Sequence, residues 1–339
     1  MIRKHQYIER TTSRVKTETL YHDSIVNLIY SQELENAPFL FRTLTSSRFS
    51  KFLGFLNYDT LIGSSISGVR KFADRLEVDL SECLDPPDSL NTARKMFERK
   101  IRYWETRQMH PDPAVIVSPA DAKILAGSFC TSSIIFIKEK FFCYEELLGK
   151  DKPRWIDSFA DGDFAIFRLT PEKYHYNHSP VSGEVVDIYE IDGSFLPCNP
   201  GAVMSLAMPF SKNRRVVTIL DTDVEGGTRA GLVAMIEVAA LMIGDIVQCY
   251  SEERYDDPQR LTPGMLLKKG QPKSLYRPGS STDILIFQKE KVNFSIDIIS
   301  NMYRRDVQTR FAEGVGRGLV ETEVAVRSRI ATVKERSIL

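Results

Sequence analysis

Ser118-Pro119-Ala120-Asp121-Ala122-Lys123-Ile124 has a partial echo further along the chain, Ser179-Pro180-Val181-Ser182-Gly183-Glu184-Val185. Each is a Ser-Pro turn running into a strand: proline presets the turn backbone, and the residues that follow alternate toward β-branched types. The pair predicts two related β-hairpin units packed face to face. Two copies are too few for a solenoid. From Ala114 onward the chain continues in the same texture, short β-rich runs separated by Gly, Pro, Asn and Asp. Examples are Ala114-Val-Ile-Val117, Phe164-Ala-Ile-Phe167, Arg215-Val-Val-Thr-Ile-Leu220 and Asp283-Ile-Leu-Ile-Phe287.

Before Ala114 the reading is helical. Ile25, Ile29 and Leu34 sit near helical spacing, Phe49-Ser-Lys-Phe-Leu-Gly-Phe-Leu56 is a short amphipathic segment, and a basic helix is predicted from Leu90 to about Arg107 after the Pro86-Pro87-Asp88 turn. The expected fold is therefore α+β. Residues 1–107 form a helical, membrane-facing N-terminal region and residues 108–339 a β-rich, sandwich-like catalytic domain. The basic N-terminus reads as a solvated arm, and the charged segment from Val307 to Arg336 as helix or surface wrap.

Composition narrows the function classes. The 339 residues carry 45 Lys+Arg against 45 Asp+Glu, and this balance argues against a broad nucleic-acid footprint. Five cysteines without a CxxC pair suit neither a disulfide framework nor a zinc site, which points to a reducing compartment and no metal. The most apolar stretch, Gly231 to Val247, is short for a bilayer span and is interrupted by Glu237 and Asp245.

The scarce histidines concentrate in Tyr174-His-Tyr-Asn-His178. With no third His or Cys in that segment to complete a metal site, His175 and His178 read either as general acid/base residues or as satisfied structural histidines. Asp121 is a turn residue able to orient such a histidine. Gly279-Ser280-Ser281-Thr282 stands immediately before a period-two strand, and no GxSxG elbow surrounds its serines.

In this order the motifs resemble the phosphatidylserine decarboxylase proenzymes: Ser118 to Asp121, Tyr174 to Pro180, Asn199-Pro200, Asn213 to Val217, Gly244 to Ile246, and Lys269-Gly270 leading to Gly279 to Thr282. The resemblance implies a self-processing carboxy-lyase that makes phosphatidylethanolamine from phosphatidylserine. A serine hydroxyl attacks the preceding carbonyl, and the chain splits near 279/280 into a large β chain and a small α chain. The serine becomes a pyruvoyl group, the self-generated cofactor, which serves as electron sink for loss of carbon dioxide. By match to the family motifs, Asp121 and His178 form the processing relay and His175 assists decarboxylation or reprotonation. The family usually cuts at Leu-Gly-Ser-Thr or Gly-Gly-Ser-Thr. Counting forward from Lys269-Gly270 places the nucleophile at Ser280, and counting back from the Ile284 to Phe287 strand places it at Ser281. Ser280, with cleavage between Gly279 and Ser280, is favoured because only it follows a glycine. Lys173 stands where the family commonly has Asp, and Ala122 where it often has Gly.

The implied partners are phosphatidylserine and the membrane surface, met through Phe49, Phe52, Leu53, Phe55 and Leu56 on the cytoplasmic side of the cell membrane. The family commonly forms homodimers. Rival readings are a serine hydrolase using the same Ser/His/Asp set without chain cleavage, a pyruvoyl decarboxylase of another amine, and a carrier-like β module akin to lipoyl domains. Lys123 is a poor carrier lysine because it starts a strand.

Overall fold

The computed structural model describes residues 4–18, 70–71, 73–74, 77–130, 143–196, 209–240, 245–277, 281–312 and 319–335. The segments carrying Phe49 to Leu56 and Pro278 to Ser280 lie outside the described residues, so the proposed membrane helix and the Gly279-Ser280 step do too.

The strands, in chain order, are β1 (Gln6–Glu9), β2 (Arg14–Thr17), β3 (Val115–Val117), β4 (Ala122–Ser128), β5 (Asp163–Leu169), β6 (Tyr176–His178), β7 (Gly183–Ile191) and β8 (Arg215–Asp221). They continue with β9 (Leu232–Val238), β10 (Ile246–Gln248), β11 (Leu266–Leu267), β12 (Pro272–Tyr276), β13 (Ser281–Phe287), β14 (Val292–Phe294), β15 (Thr322–Val324) and β16 (Arg329–Val333). Ten form one sheet in the order β11-β7-β8-β9-β13-β5-β4-β15-β1-β2, and two three-stranded sheets, β10-β12-β6 and β14-β16-β3, accompany it. Strand β13 lies within the large sheet between β5 and β9. Its Ile284 and Ile286 enter one buried cluster while Leu285 and Phe287 enter another, so both faces of the sheet are covered. That is why the run is continuously apolar rather than alternating.

The two Ser-Pro turns form equivalent units that face each other, but neither is the expected β-hairpin: each turn leads from a strand of a three-stranded sheet, β3 or β6, into a strand of the large sheet, β4 or β7. Val117 N–H donates to the Pro180 carbonyl and His178 N–H to the Pro119 carbonyl. In each turn the serine hydroxyl donates to the carbonyl two residues on, Ser118 to Ala120 and Ser179 to Val181, both at 2.7 Å. The equivalence extends to the partner strands. Ser118 N–H donates to Ser328 and accepts at its carbonyl from Arg327 N–H; Ser179 does the same with Gln271 and Gly270. Gly270 at φ 75° and Arg327 at φ 68° share the left-handed conformation that this exchange requires. Each partner strand then carries one register irregularity, between Pro272 and Ser274 in β12 and between Arg329 and Ala331 in β16.

Three expectations are corrected. First, the N-terminus is a docked hairpin, not a solvated arm or a helix: β1 pairs antiparallel with β2 and parallel with β15. A buried charge cluster holds it. Arg168 donates to Glu321 (Nε to Oε1, 2.9 Å) and to Glu18 (Nη1 to Oε1, 2.8 Å), Lys123 pairs with Glu18 at 3.1 Å, and His5 meets Glu321 at 2.8 Å. His5, Glu18 and Glu321 lie close enough together for a metal ion, but Arg168 and Lys123 already balance the two carboxylates. Second, the predicted helix from Leu90 to Arg107 is two short ones, Ala93–Phe97 and Tyr103–Thr106. Between them Ile101 bridges to Cys83, and the buried Arg99 guanidinium donates to the carbonyls of Met96, Glu172 and Lys173, fastening the segment to the stretch before β6. Third, the charged C-terminal segment contains β15 and β16, whose charges are partly neutralised inside the fold by Arg168 and Lys173.

Because Glu18 would keep only Lys123 and Glu321 only His5 as partners for a buried carboxylate, Arg168→Ala is expected to lower the unfolding free energy by about 3 kcal/mol. Urea denaturation measures this, and a loss below about 1 kcal/mol, the scale of an exposed pair, would contradict a clamping role.

Candidate active site

The facing turns bring Asp121, His175 and His178 into one buried region. Asp121 immediately precedes β4; its Oδ1 accepts from Val326 N–H at 2.7 Å, and Arg107 grips both oxygens, Nη2 to Oδ2 at 2.8 Å and Nε to Oδ1 at 3.1 Å. Arg107 is itself held by Glu82 at 2.8 Å. Burial alone would raise the Asp121 carboxyl, but the charge and hydrogen bonds of Arg107 outweigh it and hold the group below its usual range. Ala122 is absent from the positive-φ residues, so alanine is accommodated there.

His178 Nδ1 lies 2.9 Å from the Gly270 carbonyl, which can only accept, so Nδ1 carries the proton. Its Nε2 then accepts from the Tyr174 hydroxyl at 2.9 Å, and Tyr174 in turn meets the Tyr255 hydroxyl at 2.8 Å. The Tyr103 ring stands edge-on to His178 at 4.6 Å. At Gly270 the left-handed φ of 75° and a Cβ that would lie 2.3 Å from the Met109 sulfur both favour glycine. His175 follows the same logic: Nδ1 donates to the Lys173 carbonyl at 2.7 Å, the ring stacks on Phe97 at 3.5 Å, and Nε2 is buried without a partner. An orphaned lone pair on a neutral imidazole is the arrangement a base needs.

Burial lowers both histidines, His178 to about 3 and His175 well below its ordinary value, while Asp121 pulls each the other way. The predicted Asp121–His178 pair is thus a neighbourhood rather than a direct hydrogen bond: the carboxylate oxygens go to Arg107 and Val326. Lys173, at the position of the family's usual Asp, pairs with Glu323.

Ser281 begins β13 and is fully buried, and its hydroxyl has no hydrogen-bond partner among the described residues. It shares a strand face with Leu285 and Phe287. Tyr276 links this serine's strand to the histidine segment, its N–H donating to the His175 carbonyl at 3.1 Å and its hydroxyl to Asp283 at 2.7 Å. Ser280 lies outside the described residues. Arg107, Tyr174, Tyr255 and Tyr276 escaped the sequence reading. Tyr174 adjoins the histidines, but no local pattern marks the others, because their roles arise from contacts across the fold.

The family model described as phosphatidylserine decarboxylase matches residues 93–317. That span includes Asp121, both histidines and Ser281.

The chain belongs to the phosphatidylserine decarboxylase family.

Relatives named phosphatidylserine decarboxylase proenzyme include one from Fusobacterium nucleatum, 31% identical over 92% of this chain and 96% of its own. Another, from Clostridium tetani, is 28% identical over 87% of this chain and 91% of its own. One from Chlamydia trachomatis is 27% identical over 88% and 91% respectively. Within this phosphatidylserine decarboxylase family member, the neutral buried histidines set a pH dependence. A base whose folded pKa is depressed gives stability that is present above the unfolded value of about 6.5 and is lost as pH falls below it, at up to about 1.4 kcal/mol per unit per histidine. The melting temperature should therefore fall between pH 7 and pH 5, less so in His178→Gln; identical slopes would show that His178 is not buried neutral.

Proposed function

We propose that this chain is a pyruvoyl-dependent phosphatidylserine decarboxylase that generates its own prosthetic group from Ser281. The observation that carries the reading is the buried, unpartnered Ser281 hydroxyl on the strand tied through Tyr276 to the His175 segment. A buried hydroxyl without a partner costs about 1–3 kcal/mol; Thr218, Thr282, Ser295 and Thr322 share that feature among the described residues, and Ser281 differs from them in being a serine at the head of the strand tied to the His175 segment. The observation concerns Ser281 alone, since Ser280 lies outside the described residues, and chain cutting separates the two serines.

Chain cutting needs a proton taken from the serine hydroxyl as its oxygen attacks the carbonyl of residue 280. Asp121 and His178 are assigned to this step. For His178 to accept that proton, the Tyr174 hydroxyl must turn away from Nε2, and the Tyr255 oxygen is within reach to receive it. His175 is assigned to proton handling during decarboxylation, since its Nε2 is already free. The residues around Ser281 fit a serine-derived carbonyl: the site is buried, and polar atoms of Ser281, His175 and Asp283 have no partner among the described residues. That group supplies an electron sink for the pair released when carbon dioxide leaves.

The substrate reading implies a lipid surface, and peripheral contact with the cytoplasmic side of the membrane belongs to the same proposal. No helix among the described residues is long and apolar enough to cross a membrane. Phe52 and Leu53 are assigned to that contact from sequence.

On a denaturing gel, Ser281→Ala is expected to remain one chain while Ser280→Ala is cut; the opposite pattern would transfer the role to Ser280. The cut protein should convert phosphatidylserine in vesicles, and Phe52→Asp with Leu53→Asp should weaken vesicle binding without stopping the cut. A protein that is cut yet leaves phosphatidylserine unchanged would favour a different amine substrate.

A further inference from the structure

The two equivalent units provide an internal comparison. In the β14-β16-β3 sheet, the face behind the turn is apolar, with Ile116, Ala331 and Phe294 paired in succession and Ile330 at the register irregularity beside them. The equivalent positions in the β10-β12-β6 sheet are Asn177, Lys273, Ser274 and Gln248. The same backbone therefore accepts an apolar layer, and the polar one is not required by the fold.

These polar residues meet Glu237 of β9. Lys273 and Gln248 each donate to its Oε2 at 2.8 Å, Asn177 donates to Oε1 at 3.3 Å, and Ser274 also donates to Oε1. Glu237 is fully buried yet well supplied with donors. Directly opposite it across the β9/β13 ladder stands Asp283, also fully buried. Two carboxylates facing each other, with one ammonium between them, leave an excess negative charge in a dry interior. Burial, then the Glu237 charge, accordingly push Asp283 well above the carboxylate range. Tyr276 donates to Asp283 Oδ1 at 2.7 Å, and Oδ2 has no partner. Oδ2 is thus the end of the carboxyl with a hydrogen to give.

Asp283 lies two residues after Ser281 on the same strand face, a rise of about 7 Å between their backbones. We propose that Asp283 is a further catalytic residue, whose Oδ2 donates a hydrogen bond, directly or through one water, to the carbonyl that Ser281 becomes. The proposal rests on the assignment of Ser281 as the converted serine. A carboxylic acid kept neutral by its surroundings is an effective donor to an oxygen that gains negative charge, because it stabilises that charge without bringing a competing cation. Glu237, with its Lys273 and Gln248 contacts, then has a role that the apolar equivalent layer lacks: it keeps Asp283 in the donor form.

The competing explanation is structural, with Asp283 serving only to anchor Tyr276. Full-length protein is expressed, allowed to cut itself, and compared with Asp283→Asn, Asp283→Leu and Tyr276→Phe. The readouts are the fraction of cut chain on a denaturing gel and the rate at which phenylhydrazine captures the carbonyl of cut protein. Asparagine keeps both an acceptor for Tyr276 and an N–H donor, so its capture rate should stay within about threefold of the unmodified protein, whereas leucine should slow cutting or capture by at least about tenfold. Tyr276→Phe should behave like the unmodified protein. Leucine matching the unmodified protein, asparagine as slow as leucine, or Tyr276→Phe as slow as leucine would each overturn the proposal. Should the leucine protein fail to fold, Tyr276→Phe decides: normal capture supports the proposal and slow capture overturns it. An unmodified chain that stays uncut would instead remove the Ser281 assignment itself, a result distinct from a cut chain indifferent to position 283.

Discussion

Two backbone hydrogen bonds exchanged between the Ser-Pro turns, Val117 to Pro180 and His178 to Pro119, fix the arrangement on which the candidate site depends. Each turn closes on itself through its serine hydroxyl and then reaches across to the other. The exchange sets Asp121, just after the first turn, near His178, just before the second. Buried backbone groups must find partners, so displacing either turn would orphan donors and acceptors in both. The site geometry is therefore a consequence of sheet hydrogen bonding, and the side chains inherit their positions from it.

The units are equal in backbone and unequal in chemistry. One keeps an apolar layer and serves the core; the other replaces it with amide, ammonium and hydroxyl groups gathered on Glu237. Ionisable groups in a dry interior are unfavourable unless paired, and here the pairing is good around Glu237 and incomplete at Asp283, His175 and Ser281. Arg107 and the tyrosines confine the region from the other side, keeping the Asp121 carboxylate charged and both imidazoles neutral.

Much of this was legible in the sequence where local chemistry dominates. The Ser-Pro turns, the β-rich runs and the histidine pair all carry short-range signals, and the weak similarity of the turns announced equivalent units, though not their place between two sheets; the run before Phe287 read as period-two but is buried on both faces. Long-range contacts were not legible. The N-terminal segment read as an arm because the residues that capture its charge, Arg168 and Glu321, are remote in sequence. The helix predicted through Arg107 failed because Arg99 and Ile101 answer to tertiary partners that outweigh helical spacing. Asp283 looked like an ordinary polar residue at the head of a strand; only the ladder that sets it against Glu237 gives it meaning. The choice between Ser280 and Ser281 rested on glycine's freedom, a local argument, whereas burial and an unpartnered hydroxyl are tertiary ones.

The central claim is that Ser281 is converted into a carbonyl group, and an intact mass spectrum of the freshly purified protein under denaturing conditions tests it most directly. The account predicts two pieces that meet between residues 280 and 281, the C-terminal piece lighter by one ammonia than the peptide 281–339 and resistant to N-terminal sequencing. A single unmodified chain of 339 residues from folded protein, or a junction between 279 and 280, would contradict it.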